Sequence, residues 1–117
     1  MRIPKSKGFV DASELLIHFG DHASDFSARN KSVYEAMADN FLMKAKTSQM
    51  HECVRRLGDR VRFDKVTNEF AVISPVGFIR TYYIPKRCSQ LPRGTRRVKC
   101  HNFPTNLDYV LDTCVRF

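Results

Sequence analysis

The hydrophobic period of this 117-residue chain changes once, near Thr47, from helical to alternating. Before that point Tyr34, Met37, Ala38, Phe41 and Leu42 recur at helical spacing, which predicts an amphipathic helix running to about Lys46. Ser32 and Glu35 are spaced as a capping box at its start, and Lys44 and Lys46 sit in its last turn, where positive charge suits the helix dipole. A shorter helix is predicted over Ala12 to Phe19. Asp11 and Glu14 make its capping box, Leu15, Leu16 and Phe19 its apolar side, and Gly20-Asp21 its end or bend.

After Thr47, Val54, Val61 and Phe63 alternate with Arg55, Arg60 and Arg62. Turn signals at Gly58-Asp59, Asp64 to Asn68 and Pro75-Val76-Gly77 divide residues 52–84 into an antiparallel meander of about four strands. Alternation on the last strand puts Ile79, Thr81 and Tyr83 on one face, with Phe78, Arg80, Tyr82 and Ile84 on the other. Residues 85–104 read as a basic loop with three prolines, and Asn106 to Phe117 as a short helix carrying Leu107, Val110, Leu111 and Cys114. The expected class is α+β: N-terminal helices packed on an antiparallel four-stranded β-meander, with a short C-terminal helix. Residues 1–10 are expected as a basic, disordered lead-in, and 11–117 as one domain.

No apolar run reaches the ~20 residues of a membrane-spanning helix, and no apolar signal segment follows the basic N-terminus. No membrane binding by this domain is expected. Four cysteines, Cys53, Cys88, Cys100 and Cys114, allow two disulfides in three pairings. A domain of this length folds without staples, so free, partly buried thiols are expected. Cys88, Cys100, His101 and Cys114 lack the ligand spacing of a zinc finger, and no cofactor is expected.

Twenty Lys and Arg against twelve Asp and Glu give a net charge of +8, which favours a polyanionic partner. Arg55, Arg56, Arg60 and Arg62 fall on the first strands, and Lys86, Arg87, Arg93, Arg96, Arg97 and Lys99 in the loop beyond. His18 and His22 are four apart and would share a face if the first helix continued. Such a pair serves either as packing at the core edge or as a general acid and base, because imidazole titrates near neutrality. Thr81 and Tyr83 offer a hydroxyl for a phosphate oxygen and a ring for a base; equally, they are good strand formers. RNA cleavage by the ribose 2′-hydroxyl needs a base, an acid and donors for the developing phosphorane charge, and this chain carries such a set.

The segment His22-Ala-Ser-Asp-Phe26 resembles the His-Ala-Gly-Asp-Phe segment of colicin D-type tRNase domains. Thr81-Tyr82-Tyr83 stands where that family has Ser-Gly-Trp. Arg62-Phe-Asp-Lys-Val-Thr-Asn-Glu-Phe-Ala-Val72, Gly77-Phe-Ile-Arg-Thr-Tyr-Tyr83 and Thr105-Asn-Leu-Asp-Tyr109 resemble C-terminal toxin modules of bacterial contact-dependent inhibition and other polymorphic toxins. The resemblance spans roughly residues 12 to 110. It implies a barnase-, colicin D- or RelE-like fold and metal-independent cleavage of RNA, most often tRNA. It also implies a cognate immunity protein and action in the cytoplasm of a target bacterium, after delivery within a larger effector.

Carried onto this chain, the resemblance makes His22 the general base or acid. Thr81 would contact the scissile phosphate, and Tyr83 would support a base or the histidine ring. The family's lysines before the histidine are replaced by Phe19 and Asp21, and His18 is the nearest substitute. Lys44, Lys46, Arg60, Arg62 and Arg80 are the candidate RNA-binding cations, Arg80 requiring a bulge to reach the Thr81 face. An acidic immunity partner follows from the charge. The geometry this demands is His22 within a few ångströms of the Thr81 hydroxyl. A non-catalytic nucleic-acid-binding module, or a domain recognising an acidic protein, would use the same charge without needing the histidines.

Overall fold

A computed structural model describes residues 6–92 and 99–117; the loop cations Arg93, Arg96 and Arg97 lie outside the described residues. The first helix, α1, is Ala12–His22, with Asp11 Oδ1 accepting from the Glu14 amide at 2.8 Å. It does not stop at Phe19 but continues through Gly20 to His22, and a 3₁₀ turn, Ala23–Asp25, follows. Helix α2 is Lys31–Met43. Its cap is Asn30, which accepts from the Val33 amide, and not Ser32; Glu35 instead accepts the Phe9 amide at 3.0 Å.

Strands β1 (Met50–Val54), β2 (Arg60–Asp64), β3 (Phe70–Ile73) and β4 (Ile79–Tyr83) form one antiparallel sheet in sequence order. Helix α3 is Asn106–Arg116, capped by Thr105. The α+β class with helices before a four-stranded meander is therefore the observed one. No helix among the described residues is long and apolar enough to cross a membrane.

The sheet buries both faces. On one side α1 and α2 cover Ala71, Ile73, Ile79 and Tyr82 with Tyr34, Ala38, Phe41 and Leu42. On the other, α3 lays Val110 and Leu107 over Val61, Phe63, Phe70 and Val72. The expected lead-in is corrected for residues 6–9. The Lys7 amide donates to Gly77 O (2.7 Å), and the Ile79 amide donates to Gly8 O (2.8 Å). Phe9 is buried beside Tyr34. An aromatic side chain and an unpaired strand edge together hold this segment in place. Gly8 has φ +70°, and a Cβ there would meet the Glu35 carboxylate at 2.5 Å, so only glycine lets that carboxylate cap the Phe9 amide.

The thiols are not free. Cys53 bonds Cys114, joining β1 to α3, and Cys88 bonds Cys100, closing the neck of the basic loop. Irregular spacing hid both pairs, because each partner is brought in by tertiary structure.

Candidate active site

Register places the site. Ile73 pairs with Ile79 while Val72 pairs with Thr81, so Arg80 is an extra residue in a bulge. Simple alternation fails there. Ile79 joins Tyr82 in the helix-side core, and Thr81 shares the opposite face with Val72, as Tyr83 does with Phe70. β4 is the edge strand, and α1 runs beside it.

Four helical residues rise about 6 Å and two strand residues about 6.6 Å, so a histidine pair four apart matches a strand pair two apart. His18 Nδ1 lies 3.4 Å from Thr81 Oγ1. The His22 ring stacks on Tyr83, with centroids 4.8 Å apart and planes 23° apart. The two imidazoles are 5.8 Å apart. His18 meets the hydroxyl, and His22, one helical turn on, meets the aromatic ring. The helix runs on through Gly20, which puts both histidines on one face.

The segment after His22 is anchored to the end of β4. Asp25 accepts the Ile84 amide at 3.0 Å and the Lys86 ammonium at 2.7 Å, and Phe26 stacks on Tyr82 at 4.0 Å. Burial pushes both imidazoles below the ordinary value. For His18, Lys99 adds to this while Glu14 and Asp21 oppose it. For His22, the neighbouring His18 and Lys86 add to it while Asp25 and Asp21 oppose it. Both are therefore mostly neutral at neutral pH, as a proton acceptor must be.

The Tyr83 hydroxyl lies 2.6 Å from that of Tyr109 on α3. Burial and this partner raise the Tyr83 phenol, so it stays protonated. Tyr109 stacks on His101 at 4.6 Å. The buried His101 is tied by Nε2 to Asn106 Oδ1 at 2.7 Å, and Asn106 Nδ2 donates to Asn68 Oδ1 at 3.0 Å. The Thr-Asn-Glu-Phe and Thr-Asn-Leu-Asp-Tyr segments are thus turn, cap and brace for the wall behind Tyr83.

The cations expected to bind RNA scatter. Arg62 is withdrawn: its buried guanidinium donates to Glu52 Oε2 (2.7 Å) and to the carbonyls of Phe41 (2.9 Å) and Lys44 (2.6 Å), closing the end of α2. Arg60 pairs across to Ile73 on the helix side and lines a cavity of about 170 Å³ with Leu42, Met43 and Glu52, on the face away from Thr81. Lys44 lies over the Phe41 ring and Lys46 is exposed just beyond α2, so neither joins the histidines. Arg80 does stand beside the site, paired with Asp59 at 2.9 Å.

The cations acting on the imidazoles are Lys86 and Lys99. Their backbones are held together because the His101 amide donates to Lys86 O, the Cys88 amide donates to His101 O, and Cys88–Cys100 locks that neck. Only the cysteine pairing, among sequence signals, would have brought them together. Among the described residues, no group of three His, Cys, Asp or Glu is placed to hold a metal ion. Compared with protein-family models and with curated proteins, the chain has no match to either. Fold and site define an α+β domain with two partly buried imidazoles set against a threonine hydroxyl and a tyrosine ring on an edge strand.

Proposed function

We propose that this domain is a metal-independent toxin ribonuclease that cleaves tRNA or another structured RNA, and that a cognate acidic immunity protein neutralises it. The observation that carries this reading is the pairing of His18 and His22 with Thr81 and Tyr83 along the edge of a rigid sheet. A purely binding surface has no use for two titratable groups packed against a hydroxyl and an aromatic ring.

One imidazole takes the proton of the ribose 2′-hydroxyl as that oxygen attacks phosphorus. The other, in its imidazolium form, gives a proton to the departing 5′-oxygen, leaving a 2′,3′-cyclic phosphate. Thr81 holds a phosphate oxygen, and Lys86 and Lys99 meet the growing negative charge. The reading further places the action in the cytoplasm of a target bacterium, with this domain as the delivered end of a larger effector.

The test is digestion of total tRNA in EDTA, with end-group analysis. Cleavage with cyclic phosphate ends is expected, and His18→Ala and His22→Ala should each lower the rate on the order of a hundredfold while leaving the protein folded. RNA that stays whole at micromolar enzyme would reject catalysis and leave a nucleic-acid-binding module.

A further inference from the structure

The end of the site beyond Thr81 holds two arginines and one carboxylate. Arg80, the residue added by the bulge, pairs through Nε with Asp59 Oδ1 at 2.9 Å, and its side chain is 57% exposed. It also lines a cavity of about 300 Å³ with Val10 and Glu14, at the start of the helix that carries His18. Arg55 closes the same turn from the other strand: its amide donates to Asp59 O at 2.7 Å. Its guanidinium lies 5.2 Å from the Phe117 ring, within electrostatic reach of Asp59, Tyr83, Tyr109 and Arg116, the last itself paired with Asp112 at 2.9 Å. Arg55 Nε is buried and has no hydrogen-bond partner.

Arg55, Arg80 and Arg116 against Asp59 and Asp112 leave a surplus of one positive charge. A planar fork with an unused N–H is built for an oxygen anion held by two bonds. Asp59 aligns Arg80 through a single nitrogen and leaves the terminal nitrogens of that side chain to other acceptors.

We propose that Arg55 and Arg80, set around Asp59, form a phosphate subsite that grips the RNA backbone next to the phosphodiester held at Thr81. The inference rests on the nuclease reading and adds a substrate class to it: an extended single strand with at least one phosphate beyond the cleaved one. Base identity is not read here, because guanidinium groups facing the backbone carry no sequence information. Arg55 is a positioning group for the strand and does not touch the reacting atoms.

Binding and cleavage test this separately. Affinity for a 2′-deoxy oligonucleotide, which lacks the attacking hydroxyl, is measured against salt. Each phosphate contact to a single strand contributes about 0.7 to the slope of log K on log salt, so R55Q/R80Q should flatten it by about 1.4. In cleavage, the same double variant should lose at least tenfold more kcat/KM on a long oligonucleotide than on a dinucleotide. R55K/R80K, which keeps both charges, should restore most of the salt slope; this also covers the case in which the glutamine variant folds poorly. An unchanged slope, or equal losses on the two substrates, overturns the subsite. If the unmodified protein cuts no RNA at all, the nuclease reading falls, and the salt slope still decides whether these arginines hold a backbone.

Discussion

The ring of His22 lies over the ring of Tyr83, with centroids 4.8 Å apart and planes 23° apart. Tyr83 is itself fixed by the Tyr109 hydroxyl and by the edge of Phe70. The aromatic face, more than the phenol, therefore sets the plane of the imidazole. Tyr83→Phe keeps the stack and gives up one hydroxyl pair, so kcat should fall less than about threefold. Tyr83→Leu removes a ring contact worth about 0.5–1.5 kcal/mol, so kcat should fall up to about tenfold. Kinetics with melting curves for both variants check this; equal losses would assign the role to the hydroxyl.

The pH dependence follows from burial of the two imidazoles. Both are held below the ordinary 6.5, and a general base must be neutral. The acid limb of kcat/KM should therefore fall below pH 6.5. Stability has the same origin. Above about 6.5 both histidines are neutral in either state, and their contribution is fully present. As pH drops through and below 6.5, the unfolded chain takes up protons first, so stability is lost until the folded-state values are passed. Glutamine at both positions should flatten the fall in melting temperature between pH 7 and 5. An unaltered pH profile would show that other groups govern it.

Most of the layer order is legible in the sequence, because the 3.6-residue pattern around Tyr34–Leu42 and the turn signals between strands are local. What escaped is what tertiary contact decides. Gly20 reads as a helix end, yet α1 continues because nothing there breaks the backbone and the next residues dock on β4. The bulge at Arg80 has no sequence signal, and it moves Ile79 to the other face from Thr81. Arg62 reads as a surface cation in an alternating strand, but the open carbonyls at the end of α2 claim it. His18 and His22 were visible as a pair. Which one meets Thr81 depends on how a helix slides along a strand, which spacing alone leaves open.

The two disulfides carry unequal weight. Cys53–Cys114 closes a loop with a sequence separation of 61, Cys88–Cys100 one of 12. On chain entropy the first is worth about 4 kcal/mol and the second about 3 kcal/mol. Cys53→Ser/Cys114→Ser should therefore lower the melting temperature more than Cys88→Ser/Cys100→Ser. The smaller loop should matter more to activity, because it joins the chain at Lys86 to that at Lys99, and both charges act on the histidines. Melts and tRNA digestion, with and without reductant, separate the two effects. Intact-mass analysis after thiol alkylation should find no reactive cysteine before reduction. Labelled thiols in the oxidised protein would refute the pairing.

Gly20 offers a change that should improve the protein. It sits inside α1, between the two histidines, and an added Cβ there meets nothing within 4 Å. Its φ is not in the left-handed region, so a side chain is tolerated. Gly in a helix interior costs about 0.5–1 kcal/mol relative to Ala, mostly as backbone entropy of the unfolded chain. Gly20→Ala should raise stability by roughly that amount and hold His18 and His22 more firmly in one register. Denaturant titration measures the first effect and tRNA cleavage the second. A stabilised variant with unchanged or faster cleavage is the expected result. A stabilised variant that has lost cleavage would mean that the substrate backbone passes over Gly20, where a methyl group would block it.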